Sequence, residues 1–259
     1  MEDQQLPIQY TVVSALKLVR ANWLTLLFLS SPFCVVNGYF VLGWVDISQP
    51  QVIFTPLNML IGLLYLATAA MATVRIHRLA LLDEKSCSLG AIFHISIREW
   101  RFVGWWGVLA SALFGAMFIP LFLVGSLAST VGAAQWVLQL MTYGVMLPIC
   151  WLLARWSLVL PATALDHQPR GLTIAWRRSK PHSKSLFILI GVIPTLINIV
   201  LQPLFASNIL MVTFLASAIW LFVCAVEICI LSLSYQWIIQ REAAEQKLEN
   251  HLQLQVGGK

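Results

Sequence analysis

The sequence predicts an all-α, polytopic membrane protein: six transmembrane helices arranged as three hairpins, short helices at the cytoplasmic interface, and both termini in the cytoplasm. Three observations carry that expectation. Hydrophobic residues make up 59% of the 259 positions and charged residues 10%, whereas a soluble domain carries about a quarter charged residues. Apolar runs at 23–45, 54–74, 102–128, 133–154, 185–205 and 209–239 each reach the roughly 20 residues a helix needs to cross hydrocarbon. The 16 Lys and Arg are distributed on one side only. Lys17 and Arg20 precede the first run. Arg75, Arg78, Lys85, Arg98 and Arg101 fall between the second and third. Arg155, Arg170, Arg177, Arg178, Lys180 and Lys184 separate the fourth from the fifth, and Arg241, Lys247 and Lys259 follow the sixth. Cationic side chains are retained on the cytoplasmic face during insertion, so the pattern fixes an N-in, C-in orientation.

Other classes are excluded by the same runs. Barrel strands would be short and alternating, and only helices or closed barrels satisfy their backbone in lipid. The first run follows a mixed-charge segment and lacks a basic start and a small-residue cleavage site, so it reads as a retained span. The formal charge of +5 restates the topological asymmetry. No nucleic-acid motif accompanies it.

Taken in order, residues 11–23 place Ala15 and bulky apolar side chains early and cations late. That suits a short helix at the inner interface, with its apolar side in the acyl boundary and its cations at headgroups. Asp46-Ile-Ser-Gln-Pro50 forms a turn after the first span. Residues 88–100 repeat the interfacial pattern, with Ser88 as a candidate cap. A turn around Gly132 joins the third and fourth spans. Residues 171–179 form the third interfacial segment, and Ser207-Asn208 separates the last two spans. The tail 240–259 extends the sixth helix into the cytoplasm and ends at Gly257-Gly258. In it, Leu248 and Leu252 lie one turn apart, too few for a coiled coil.

The chain is therefore one transmembrane domain, 1–259. Ala15, Ala91 and Ala175 mark the interfacial segments at spacings of 76 and 84 residues, and Arg75, Arg155 and Tyr235 mark the ends of the even spans. These suggest a threefold repeat near 1–84, 85–168 and 169–240, followed by the tail. The alternative is that any two-span hairpin unit produces this look. Pro32, Pro120, Pro148, Pro194 and Pro203 lie in or near spans. They either break helices around a midplane site or reflect the ordinary frequency of proline in membrane helices.

Glu227 is the one acidic residue deep within an apolar run. A carboxylate in hydrocarbon costs several kcal/mol unless paired or protonated. Counting about 1.5 Å per residue places Glu227 near the level of Arg75 and Arg155. A buried ion pair with one of them is expected, either as a structural bridge or as part of a proton or ligand path. Asn198 and Gln202, one turn apart on the fifth span, are the alternative intramembrane polar partners. The basic segment Arg170, Arg177, Arg178, Lys180 and Lys184, interleaved with Trp156 and Trp176, has two readings. It contacts anionic lipid headgroups on the cytoplasmic side, or it serves topology and interface anchoring alone.

The five Cys form no Cys-x-x-Cys pair, so no disulfide framework or zinc site is expected. The five His all fall at positions read as cytoplasmic, interfacial or solvated. No His-Glu-x-x-His, nucleophile elbow, Walker loop or dinucleotide fingerprint occurs. An intramembrane Ser–His pair is not expected, because no histidine is placed within a span. No catalytic residue, metal or cofactor is assigned.

The stretch Arg155-Trp-Ser-Leu-Val-Leu-Pro-Ala-Thr-Ala-Leu-Asp166, followed by Gly171-Leu-x-x-Ala-Trp-Arg-Arg-Ser179, resembles the centre of a family of bacterial inner-membrane proteins. These are uncharacterised six-span proteins related to the membrane domain of glycerophosphodiester phosphodiesterases. The resemblance implies a six-span architecture and no catalytic residues. The soluble phosphodiesterase barrel attached in some relatives is not in this chain.

The function expected from these readings is a non-enzymatic integral protein of the bacterial inner membrane. It would act as an accessory or scaffold subunit, or as a bundle interacting with anionic lipid, with a membrane-protein partner possible and no nucleic acid. The alternative is a small-molecule or lipid transporter with a polar path near Glu227.

Overall fold

The computed structural model describes residues 5–41, 55–82, 96–131, 135–205, 207 and 209–257. Ser88, Cys87, Lys85, Ala91, His94, Lys259 and the turns expected at 46–50, at Gly132 and at Asn208 lie outside the described residues. Every regular element described is helical: α1 (Ile8–Ala21), α2 (Trp23–Val41), α3 (Pro56–Leu82), α4 (Ile97–Val131), α5 (Gln135–Trp156) and α6 (Val159–Ala164). They are followed by α7 (Leu172–Ser179), α8 (Ser183–Leu186), α9 (Ile193–Phe205) and α10 (Leu210–Gly257). A 3-10 turn, Lys180–His182, joins α7 to α8, and a π-helical turn, Phe187–Val192, joins α8 to α9.

Five helical stretches are long and apolar enough to cross a membrane: Pro56–Leu82, Ile97–Ser126, Leu140–Ala164, Leu172–Phe205 and Leu210–His251. The pair α1 and α2, bent by 82° at Asn22, raises the number to six if it is counted as one span. The chain is a multi-pass helical membrane protein. Sequential helices pack as neighbours, α2 with α3, α4 with α5, and α9 with α10. Prolines 32, 120, 148 and 203 sit inside helices that continue through them.

The core lies toward the end that carries the cations. All of α6 is buried, as are much of α3 from Ala69 to Leu79 and of α10 from Val226 to Ile238. At the opposite end Phe114, Phe118, Phe122, Val200, Met211 and Phe214 are exposed. Lipid solvates apolar surface as well as protein does, so membrane helices need no hydrophobic core to hold together. Packing is concentrated where the polar groups have to be partnered.

The interfacial segments differ from their expected form. Helix α1 turns Thr11, Ala15 and Val19 inward and packs on α10, leaving Tyr10, Val13 and Leu16 outside. Its apolar residues therefore serve two surfaces rather than one. The second expected segment reaches the described residues only at Ser96, and from Ile97 onward it is the span helix itself. Ser96 caps α4. The Ser96 N–H donates to Glu99 Oε2 at 2.8 Å, Ser96 Oγ also bonds that oxygen, and the Arg98 N–H donates to Ser96 Oγ at 3.2 Å. Ser96-Ile-Arg-Glu99 is a capping box, readable from its spacing. The third segment, α7, buries Ala175 and Ser179 and runs into the fifth span without the sharp bend of the first. The tail continues α10 to Gly257, as its composition predicts.

The π-helical turn is fitted to α5 through Gly191. A Cβ there would stand 3.2 Å from Cys150 Cβ and 3.1 Å from the Phe187 ring. The phenyl ring can tilt aside, but Cys150 Cβ is fixed to a helix backbone. Gly191→Ala is expected to lower stability by about 1 kcal/mol despite the better helix propensity of alanine. Thermal unfolding of the detergent-solubilised protein measures it, and an unchanged or raised midpoint would contradict the packing.

Candidate functional site

Helices α2, α3, α4, α5, α10 and the π-helical turn converge on a cavity of about 510 Å³. Its wall is mostly apolar. Phe33, Tyr65, Trp106 and Trp220 supply aromatic side chains, and Glu227, Cys224, Thr73, Ser30, Ser157 and His77 supply the polar groups. No Lys or Arg lines it among the described residues. Helical periodicity explains the lining. Trp220, Leu221, Cys224, Glu227, Ile228 and Leu231 recur at three- and four-residue steps and share one face of α10. Tyr65, Leu66, Ala69, Ala72, Thr73, Ile76 and His77 do the same on α3. Alanine at 69 and 72 leaves the volume that larger side chains would fill.

The expected Glu227 ion pair does not form. Among the described residues, no salt bridge or hydrogen bond partners the Glu227 side chain. Arg155 is committed elsewhere: its Nε donates to Ser179 Oγ at 3.0 Å and its Nη2 to the Trp176 carbonyl at 2.6 Å. Its guanidinium carbon lies 3.3 Å from the Trp176 ring centroid and 5.0 Å from that of Trp151. The side chain is only 4% exposed. Indole faces and carbonyl oxygens offset the loss of water around this charge. For Arg75, Glu99 at the head of α4 is the acidic group whose charge acts on it. The sequence estimate matched depths along the bundle axis and could not tell which helix faces turn together.

Asn198 and Gln202 are both exposed on the outside of α9, away from the cavity. Asn198 Nδ2 donates to the Pro194 carbonyl of its own helix at 3.0 Å. Neither partners Glu227.

His77, read as interfacial or solvated, is fully buried against Phe102 and Ser232. Helix α3 continues five residues beyond it to Leu82, which the early Arg75 conceals in the sequence. Ser232 Oγ donates to the Ile228 carbonyl at 2.8 Å. Ser232 Oγ and His77 Nδ1 share a hydrogen bond at 2.7 Å. Nε2 has no partner among the described residues. A buried Ser–His pair is thus present, contrary to the expectation. Ser232 does not line the cavity.

The basic residues divide into three sets. Asp166, in the left-handed conformation after α6 (φ 55°), gathers Arg98 at 2.7 Å, Arg170 at 3.6 Å and Arg101 at 3.8 Å. Arg178 pairs with Glu242 of α10 at 3.0 Å. Trp156 and Trp176 pack against each other, with ring centroids 6.3 Å apart, and Trp176 covers Arg155. Of the residues expected at lipid headgroups, Arg177, Lys180 and Lys184 remain exposed. They fall on three successive short elements, Arg177 on α7, Lys180 on the 3-10 turn and Lys184 on α8.

No family model, curated protein or solved structure matches this chain. Among the described residues there is no group of His, Cys, Asp and Glu suited to a metal ion.

Two predictions follow from this geometry. Lysine at 155 would keep the charge but lose the flat, multiply donating stack on Trp176. Arg155→Lys should cost about 1–2 kcal/mol, read as a lowered unfolding midpoint, and an unchanged midpoint would refute the stacking role. For Asp166, burial alone would raise the carboxyl, but the Arg98 hydrogen bond and the charges of Arg98, Arg170 and Arg101 hold it below its ordinary value. A lowered folded-state pKa contributes stability above the unfolded pKa and loses it as pH falls through the folded one. Asp166→Asn should therefore be less stable than the parent at neutral pH, with the gap closing as pH drops below about 4. A gap independent of pH would contradict this.

Proposed function

We propose that this chain is a non-enzymatic inner-membrane protein of bacteria that binds an amphipathic molecule inside its helical bundle and moves it within or across the membrane. The basic end faces the cytoplasm in this reading, as the one-sided distribution of Lys and Arg requires during insertion. The observation that carries the proposal is the cavity of about 510 Å³ lined by Glu227, which has no ion-pair partner among the described residues. Its volume is within the roughly 300–1,000 Å³ of small-molecule sites, as is its pattern of apolar walls with a few convergent polar groups. Conserving stability alone would favour filling such a space with side chains.

The resemblance to six-span inner-membrane relatives agrees with the placement and says nothing of the cargo. A second reading, contact with anionic lipid, is supported by the exposed side chains of Arg177, Lys180 and Lys184. Each cation near an anionic leaflet contributes about 1 kcal/mol of attraction. The two readings are compatible, because those side chains lie outside the cavity.

Cys224→Phe tests the cavity, placing a ring where a half-buried thiol now lines it. Native mass spectrometry of the full chain purified from its membrane should find one bound amphipathic molecule in the parent and none in the variant. Equal occupancy in both, with the variant folded by circular dichroism, would sink the proposal.

A further inference from the structure

The cavity's chemistry narrows its occupant, on the premise that the proposed binding role holds. A carboxyl group in an apolar wall is stable when it is protonated or when an opposite charge is brought beside it. The described residues provide no such charge. Arg155 is stacked on indole, Arg75 is under the influence of Glu99, and no lysine or arginine lines the space. An anionic ligand would bring a second negative charge next to Glu227 and meet no cation. The remaining wall suits an organic cation as well, because Tyr65, Trp106, Trp220 and Phe33 line the same cavity. Aromatic faces attract a desolvated cation with a strength that grows as water is excluded. The apolar remainder suits a bulky organic body and disfavours a hydrated metal ion.

We propose that the cavity binds a monovalent lipophilic cation, with Glu227 as its counter-charge and the four aromatic side chains around its apolar body. Glu227 supplies the selectivity for sign, while the wall supplies affinity for hydrocarbon. Opposite charges in a water-poor site attract far more strongly than in bulk water, so the carboxylate discriminates between ligands of identical shape.

Tetraphenylphosphonium and tetraphenylborate share that shape and differ in sign, and triphenylphosphine oxide is a neutral relative. Equilibrium dialysis of the full chain in neutral detergent, with protein-free micelles subtracting partition, measures each separately. Saturable binding of tetraphenylphosphonium is expected, weakened about tenfold or more in Glu227→Gln and largely kept in Glu227→Asp. Tetraphenylborate is expected to give no saturable binding. Wild-type affinity for tetraphenylphosphonium in Glu227→Gln, or equal binding of the borate, would overturn the assignment. If triphenylphosphine oxide binds, Cys224→Phe blocks it, and tetraphenylphosphonium binds no better, the charge assignment fails and the cavity reading stands. If none of the three probes binds, both fall.

Discussion

A charge in hydrocarbon has to be carried to the water interface, paired, or screened by polarizable neighbours, and this constraint arranges the molecule. The cations leave the apolar runs empty of positive charge and collect at one end. There they need partners, and the partners come from elements distant in sequence. Asp166 follows α6, its arginines come from α4 and from the loop before α7, and Glu242 on α10 meets Arg178 on α7. Charge neutralisation therefore ties α4 to the turn after α6 and α7 to α10, where lipid-facing apolar surface gives little reason for helices to associate.

Arg155 meets the same constraint without an acid. Two indole rings, a carbonyl and a serine hydroxyl surround it. That arrangement fixes α7 against α5 and so aligns the fifth span. With Arg155 satisfied by indole, carbonyl and hydroxyl, Glu227 lines a cavity and has no charged partner among the described residues.

The readings that succeeded and failed separate along physical lines. The spans, their approximate limits and the helical tail were legible, since each depends on local composition and on one-dimensional spacing. The Ser96–Glu99 capping box was equally legible from its spacing. Pairing of Glu227 was inferred from depth alone, and depth is one coordinate of three. Asn198 and Gln202 have the right depth as well, yet they sit on the outer face of α9. His77 was hidden by a nearby cation that marks the end of the apolar run, although α3 continues as a buried helix beyond it.

The sequence by itself determined the helical class, the rough extent of the apolar segments long enough to cross a membrane, and the asymmetric placement of the cations. Hydrophobic length and cation placement act locally, so they survive without knowledge of packing. Only the tertiary structure decided which arginine met which acid, which polar groups turned toward lipid, and that a cavity lay beside Glu227. Those outcomes depend on helix rotation and on contacts between residues far apart in the chain, such as His77 with Ser232, 155 positions away. No periodicity along one chain encodes the angle at which two helices face each other.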